Sequence, residues 1–182
     1  MLDNQIISHK KYTSQIGILV SEITLVRNDT FNLTKNLSLE QLDYNFDDKS
    51  NSIGTLLLHI AALEYKFYLD FFLKRPFNQS ELEKYMKAAP FNMDKRLIHG
   101  NDFNFYFNIL EQNRAQSLGF LKTLTDDWLF ENVTLSNGQN IGNNYYLIKH
   151  IIHDELCHQG QIKLILKRLK EKQSNKNFTH NH

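Results

Sequence analysis

The chain has 182 residues, enough for one domain whose core needs no covalent staples. Its 21 Lys and Arg stand against 20 Asp and Glu, which excludes the clustered basic excess that marks a nucleic-acid or acidic-membrane partner. A single cysteine rules out an internal disulfide and fits a reducing compartment.

The N-terminal stretch "MLDNQIISHKKY" has no apolar core of signal-peptide length, and no run approaches the ~18 apolar residues of a membrane span. The expectation is a soluble, cytoplasmic protein. Two prolines and seven glycines, with long periodic stretches between them, point to helices.

In chain order, the first helix is predicted from about Tyr12 to Asn36, with Ile16, Leu19, Val20, Ile23 and Val26 at helical spacing. A polar stretch follows, holding one short helical turn at Ser38–Leu42 with Ser38 as its cap. Ser52 opens a second long helix along Ile53, Leu56, Leu57, Ile60, Leu63, Phe67 and Phe71, which stops before Arg75–Pro76. "SELEKYMKAAP" reads as a short helix capped by Ser80 and ended before Pro90.

The third long helix is expected from about Asp102 to Leu124, through Phe103, Tyr106, Phe107, Leu110, Ala115, Leu118 and Leu121. "SNGQNIGNNYY" is a loop or small hairpin, and no convincing strand pair is visible. A fourth helix runs from about Asn143 to Lys172. Its late basic run "LKRLKEK" suits a helix C-terminus. Residues 1–172 then form one all-α domain, a four-helix bundle with long crossover connections, and residues 173–182 a frayed tail.

Chemistry concentrates in "HIIHDELCHQGQIKLILKRL", from His150 to Leu169. At about 100° per residue, the apolar positions of this helix fall in a sector of roughly 140° that also contains His158. Asp154 lies at its edge, four residues before His158, and Glu155 points into the sector. His150 lies further out, while His153 and Cys157 point largely away. On the second helix His59 is on the flank of the apolar face and Glu64 points inward.

Burying such groups without partners costs several kcal/mol, so they satisfy one another or hold a cation. Asp154 and His158 can supply two ligands from one helix face, with a third from a facing helix. The competing readings are an i, i+4 ion pair for Asp154 and His158, a hydrogen-bonded core-edge residue for His59, and a buried polar network for Glu64 and Glu155. "DELCH" departs from H-E-x-x-H in its first ligand, and its Glu155 would aim at the core rather than serve as a general base. A di-iron centre needs a second E-x-x-H, which the chain lacks.

Taken together, "SIGTLLLHIAALEYKFY" and "HDELCHQGQIKLIL" resemble the DinB/YfiT-like metalloenzyme superfamily of four-helix bundles. That resemblance implies a metal triad with one histidine from "LLxHIAxxE" and two ligands four residues apart on the fourth helix, the last within "H-x-G-Q". Carried over, the ligands are His59, Asp154 and His158, with aspartate where many members have histidine. A shift to His153 would turn the side chain by about 100°. Glu64, Glu155, Gln161 and His150 become outer-shell or substrate-contact candidates.

The resemblance further implies a divalent ion (Zn, Ni, Mn or Fe) that activates a low-molecular-weight thiol toward a small electrophilic substrate, in transfer or thiol-dependent isomerisation. It implies a homodimer as well, and no nucleic-acid or membrane partner. The alternative is a non-catalytic, stress- or damage-associated bundle protein whose His/Asp triad is a structural polar network.

Overall fold

The computed structural model describes residues 5–48, 50–85, 98–135 and 138–179. Helix α1 spans Ser14–Thr34, and its stripe of Ile16, Leu19, Val20, Ile23 and Val26 is buried as the periodicity requires. No local side chain caps it. Instead Asp126, far along the chain, accepts from the backbone N–H groups of Gln15 and Ile16 at 3.0 and 3.1 Å and from the Thr13 hydroxyl at 2.5 Å. A carboxylate there satisfies orphan donors and complements the helix dipole.

The short α2, Leu39–Leu42, starts with a capping box between Ser38 and Gln41. Helix α3, Ile53–Phe67, is capped by the Ser52 hydroxyl, which accepts from Thr55 N–H. It continues into a π-helical turn, Tyr68–Leu73, which Lys74 ends in the left-handed region at φ 51°. Helix α4 spans Gln79–Tyr85. Its cap is Asn78 rather than Ser80, because Asn78 Oδ1 accepts from Glu81 N–H at 2.9 Å while Glu81 reaches back to Asn78 N–H at 2.8 Å. The rest of the segment expected to end at Pro90 lies outside the described residues.

Helix α5, Phe103–Leu121, is capped by Asp102. Its buried stripe passes through Asn113, Arg114 and Ser117, and Ala115 is exposed, contrary to the sequence expectation. A 3-10 helix, Asp126–Phe130, leads into a hairpin of β1, Asn132–Thr134, and β2, Asn140–Asn143. The strands pair antiparallel, Asn132 opposite Asn143 and Thr134 opposite Asn140, with an irregularity between the two pairs. Helix α6 runs from Asn144 to Thr179, continuing as helix where a frayed tail was expected beyond Lys172.

The bundle is made by α1, α3, α5 and α6, with α6 against α1 and α3, and α5 against α3 and α1. The connections from α1 to α3 and from α5 to α6 therefore cross the bundle. The apolar core divides into one cluster around Leu57, Tyr106 and Ile162 and another around Leu19, Leu129 and Ile152. No helix among the described residues is long and apolar enough to cross a membrane.

One close contact fixes how α3 meets α5. A Cβ on Gly54 would lie 2.3 Å from Oη and 2.8 Å from Cζ of Tyr106, whose side chain is fully buried. Gly54→Ala is expected to lower stability by about 1–3 kcal/mol, as overpacking does. Urea denaturation checks this, and adding Tyr106→Phe, which removes the nearer atom, should recover part of the loss.

Candidate metal centre

Helices α3 and α6 lie side by side, and His59 on α3 faces Asp154 and His158 on α6. One potential ligand atom from each residue lies within 4.8 Å of the other two. Asp154 Oδ2 is 4.0 Å from His59 Nε2 and 3.4 Å from His158 Nε2, and the two imidazole rings meet edge to face with centroids 4.8 Å apart. All three side chains are largely but not fully buried, at 17, 22 and 13% exposure for His59, Asp154 and His158. Solvent therefore reaches the cluster.

The His158 ring is held from behind. Its Nδ1 lies 3.2 Å from Gln161 Oε1, an acceptor, so Nδ1 carries the proton of the neutral ring. The Nε2 lone pair is thereby left facing His59 and Asp154, as an outer-shell partner does for a metal-ligating histidine. That Nε2 is buried, at ion-pair distance from Asp154 but without a hydrogen bond.

Burial alone would lower the His158 pKa, but the Asp154 carboxylate and Gln161 outweigh it and hold the imidazole above its ordinary value. Burial would likewise raise Asp154, yet His158, His59 and His150 together keep its carboxyl below the usual range. The cluster is thus an anion between imidazoles, a donor set that suits a divalent first-row ion.

His150, a candidate outer-shell residue, is exposed and stacks on Phe67 at 6.0 Å between centroids. It contributes to the site only through its field at Asp154. His153 and Cys157 face solvent, so Asp154 and not His153 completes the cluster.

Glu64 and Glu155 are not brought to the triad. Both are buried, 2 and 1% exposed, and both are held by arginines. Arg27 donates to Glu155 at 2.8 and 3.0 Å, to Glu64 at 2.8 Å and to the Leu110 carbonyl at 3.0 Å. Arg114 donates to Glu64 at 2.6 Å and to the Ile23 carbonyl at 2.6 Å. The Thr30 hydroxyl donates to Glu155 at 2.7 Å and accepts from Gln159 at 3.0 Å.

Two acids and two guanidinium groups make a neutral layer across the middle of the bundle, binding α1, α3, α5 and α6 together. Burial would raise the Glu64 pKa, but Arg114 and Arg27 hold it below the ordinary carboxylate range. The arginines were missed from sequence, although Arg27 shares the phase of Ile16, Ile23 and Thr30 on α1.

A four-helix bundle whose facing helices present a His/Asp/His cluster has the layout on which metal sites between helices are built. The family model of the DinB superfamily matches residues 22–162, and the chain belongs to that superfamily. Among solved structures it is similar to YfiT from Bacillus subtilis, described as a probable metal-dependent hydrolase with an unusual four-helix bundle topology. That likeness has 16% identity, covers 86% of this chain and 88% of the other, and has a TM-score of 0.60. A conserved protein from Enterococcus faecalis matches at 12% identity, 81 and 92% coverage and a TM-score of 0.61. No curated protein matches the chain in sequence.

Proposed function

We propose that the chain binds one divalent metal ion through His59, Asp154 and His158 and uses it to activate a small nucleophile against an electrophilic substrate. The observation that carries this is the His158 Nε2 atom, buried, unprotonated in the neutral tautomer and without a hydrogen bond, opposite an aspartate and a second imidazole. A bound divalent ion would lower the pKa of a coordinated thiol or water and polarise the electrophile. The chain's own part is to hold three donors from two packed helices, fix the His158 tautomer through Gln161 and keep the cluster partly exposed.

The nucleophile we favour is a low-molecular-weight thiol, as the likeness to the superfamily implies. Water would serve in the same place, and hydrolysis is the activity ascribed to the Bacillus protein. Membership in the superfamily supports the reading because the matched segment spans all three donors.

The test is metal content by mass spectrometry on untagged protein, where near one equivalent is expected. No retained metal, even after reloading with zinc, nickel and manganese, would leave a polar network and sink the reading. Because Asp154 and Gln161 raise the His158 pKa, metal competes with a proton for that imidazole. Affinity should therefore fall by about tenfold per pH unit on the acid side of the His158 pKa, measured by competition with a chromophoric chelator.

A further inference from the structure

Helix α6 carries a row of side chains at four-residue steps, Tyr146, His150, Asp154 and His158. Four residues advance an α-helix by little more than one turn, so the row runs along the seam with α3. There His59 faces Asp154 and His158, and Phe67, about two turns further along α3, stands against His150. The imidazole of His150 is stacked on Phe67 at 6.0 Å and 29° and on Tyr146 at 6.3 Å and 28°. Helical neighbours at this spacing have Cβ atoms about 5–6 Å apart, which sets His150 one turn from Asp154. Its charge is among those that lower the Asp154 pKa, and in the resting site that is its whole contribution.

A reaction that consumes a thiol also needs a base. When a thiol attacks an electrophile its S–H bond breaks, and the proton must be held until the product or the leaving group takes it. The triad cannot hold it, because a coordinated imidazole or carboxylate has given its lone pair to the ion. Glu64 and Glu155 are fixed by Arg27 and Arg114, and His153 and Cys157 face solvent. The charged residues next to Phe67 and His150 in sequence are themselves paired, Lys66 with Asp70 and Lys149 with Glu22 of α1. His150 is left, an exposed imidazole that makes no hydrogen bond among the described residues and is oriented by two rings.

We infer that His150 is the proton acceptor of the reaction at the triad, held in place by the rings of Phe67 and Tyr146. The assignment rests on the metal reading above. The S–H bond of the thiol breaks and its electron pair forms the bond from sulfur to the electrophilic carbon. The proton passes to the unprotonated nitrogen of the neutral His150 ring, directly or through one water. The imidazolium then returns it to the leaving group or the product, which restores the base. Charge favours this order of events. A divalent ion with Asp154 gives the centre one net positive charge, and a thiol entering as its anion cancels it. A protonated His150 is therefore repelled before that step and tolerated after it.

The proton itself is the readout, with no turnover needed. The full-length protein is loaded with zinc, and its zinc content is fixed by mass spectrometry. It is then titrated calorimetrically with 2-mercaptoethanol at about pH 7.5, where an ordinary histidine is neutral and a thiol protonated. Repeating the titration in buffers of different ionisation enthalpy counts the protons released to solvent.

His150→Gln keeps the polarity but has no base, and it is expected to release about one proton per thiol bound, against less than about half of one for the wild type. His153→Gln, which alters an imidazole that faces solvent, should match the wild type. A zinc-loaded wild type that releases as many protons as His150→Gln, or that takes up no thiol, overturns the inference and leaves the metal centre standing. A wild type that retains no zinc overturns the metal reading and the inference with it.

Discussion

Arg27→Met is expected to lower the stability of the protein by about 3–5 kcal/mol, the cost of removing one partner from a buried ion pair. The side chain is 2% exposed and donates to both Glu64 and Glu155 as well as to the Leu110 carbonyl. Methionine fills much of the volume but leaves two buried carboxylates sharing Arg114 alone. At roughly 2–4 °C per kcal/mol for a chain of this size, the melting temperature should fall by about 6–20 °C. Arg27→Lys should recover little, because a lysine cannot reach two carboxylates with a planar fork.

Acid provides a second arm. Glu64 has its folded-state pKa depressed, so its contribution is complete above the pKa of an unfolded glutamate and is lost as pH falls through the lower folded value. The wild type should therefore lose stability progressively below the ordinary carboxylate range, and Arg27→Met should lose less on the same descent. Urea midpoints for both proteins from neutral to acid pH check this. Equal stability of wild type and Arg27→Met at neutral pH would mean that the charged layer holds nothing together.

The layer also marks the boundary of what the sequence discloses. Helix starts at Ser38, Ser52 and near Asp102 and the periodic apolar residues of the four long helices were legible because each is a local rule acting within a turn or two. His59, Asp154 and His158 were legible through their spacing and the family resemblance, and the fold brings them together. That Glu64 and Glu155 point inward was legible too, but their partners were not. Periodicity gives a side chain's direction on its own helix and says nothing about which helix stands opposite.

Arg27 and Arg114 could have been found by asking which cations share a phase with the core stripe. The π turn could not, since "KFYLDFF" contains neither glycine nor proline to mark it. The hairpin was legible only as one of two options for its turn, because its strands have three and four residues, short of any alternating pattern. At Ser80 the rule was right and the residue wrong, since Asn78 competes for the same role and wins with its own reciprocal glutamate.

His158→Ala separates a metal centre from a structural network more sharply than any loss of activity can. If the triad exists to hold its own residues together, the variant should be destabilised in the presence of a chelator, where metal plays no part. If it exists for a metal, the chelated proteins should differ by only about 1–2 kcal/mol, the worth of the Gln161 hydrogen bond and the partly exposed Asp154 contact that the variant gives up. The difference should then appear on adding the ion. At 1,000 times its dissociation constant a ligand stabilises the folded state by about 4.1 kcal/mol, a gain the wild type should show and the variant lack.

Asp154→Asn keeps the shape and removes the charge. It should weaken binding by more than the roughly 10–100-fold that outer-shell changes cost, since the ligand itself is altered. Asp154→His, which makes the triad all-histidine, should retain metal and leave the ion a stronger Lewis acid, because a neutral donor replaces an anionic one. Thermal melts with and without zinc, nickel and manganese read all three variants. Should Asp154→Asn match the wild type in metal affinity, the acid would be a bystander and the site would rest on its two histidines alone.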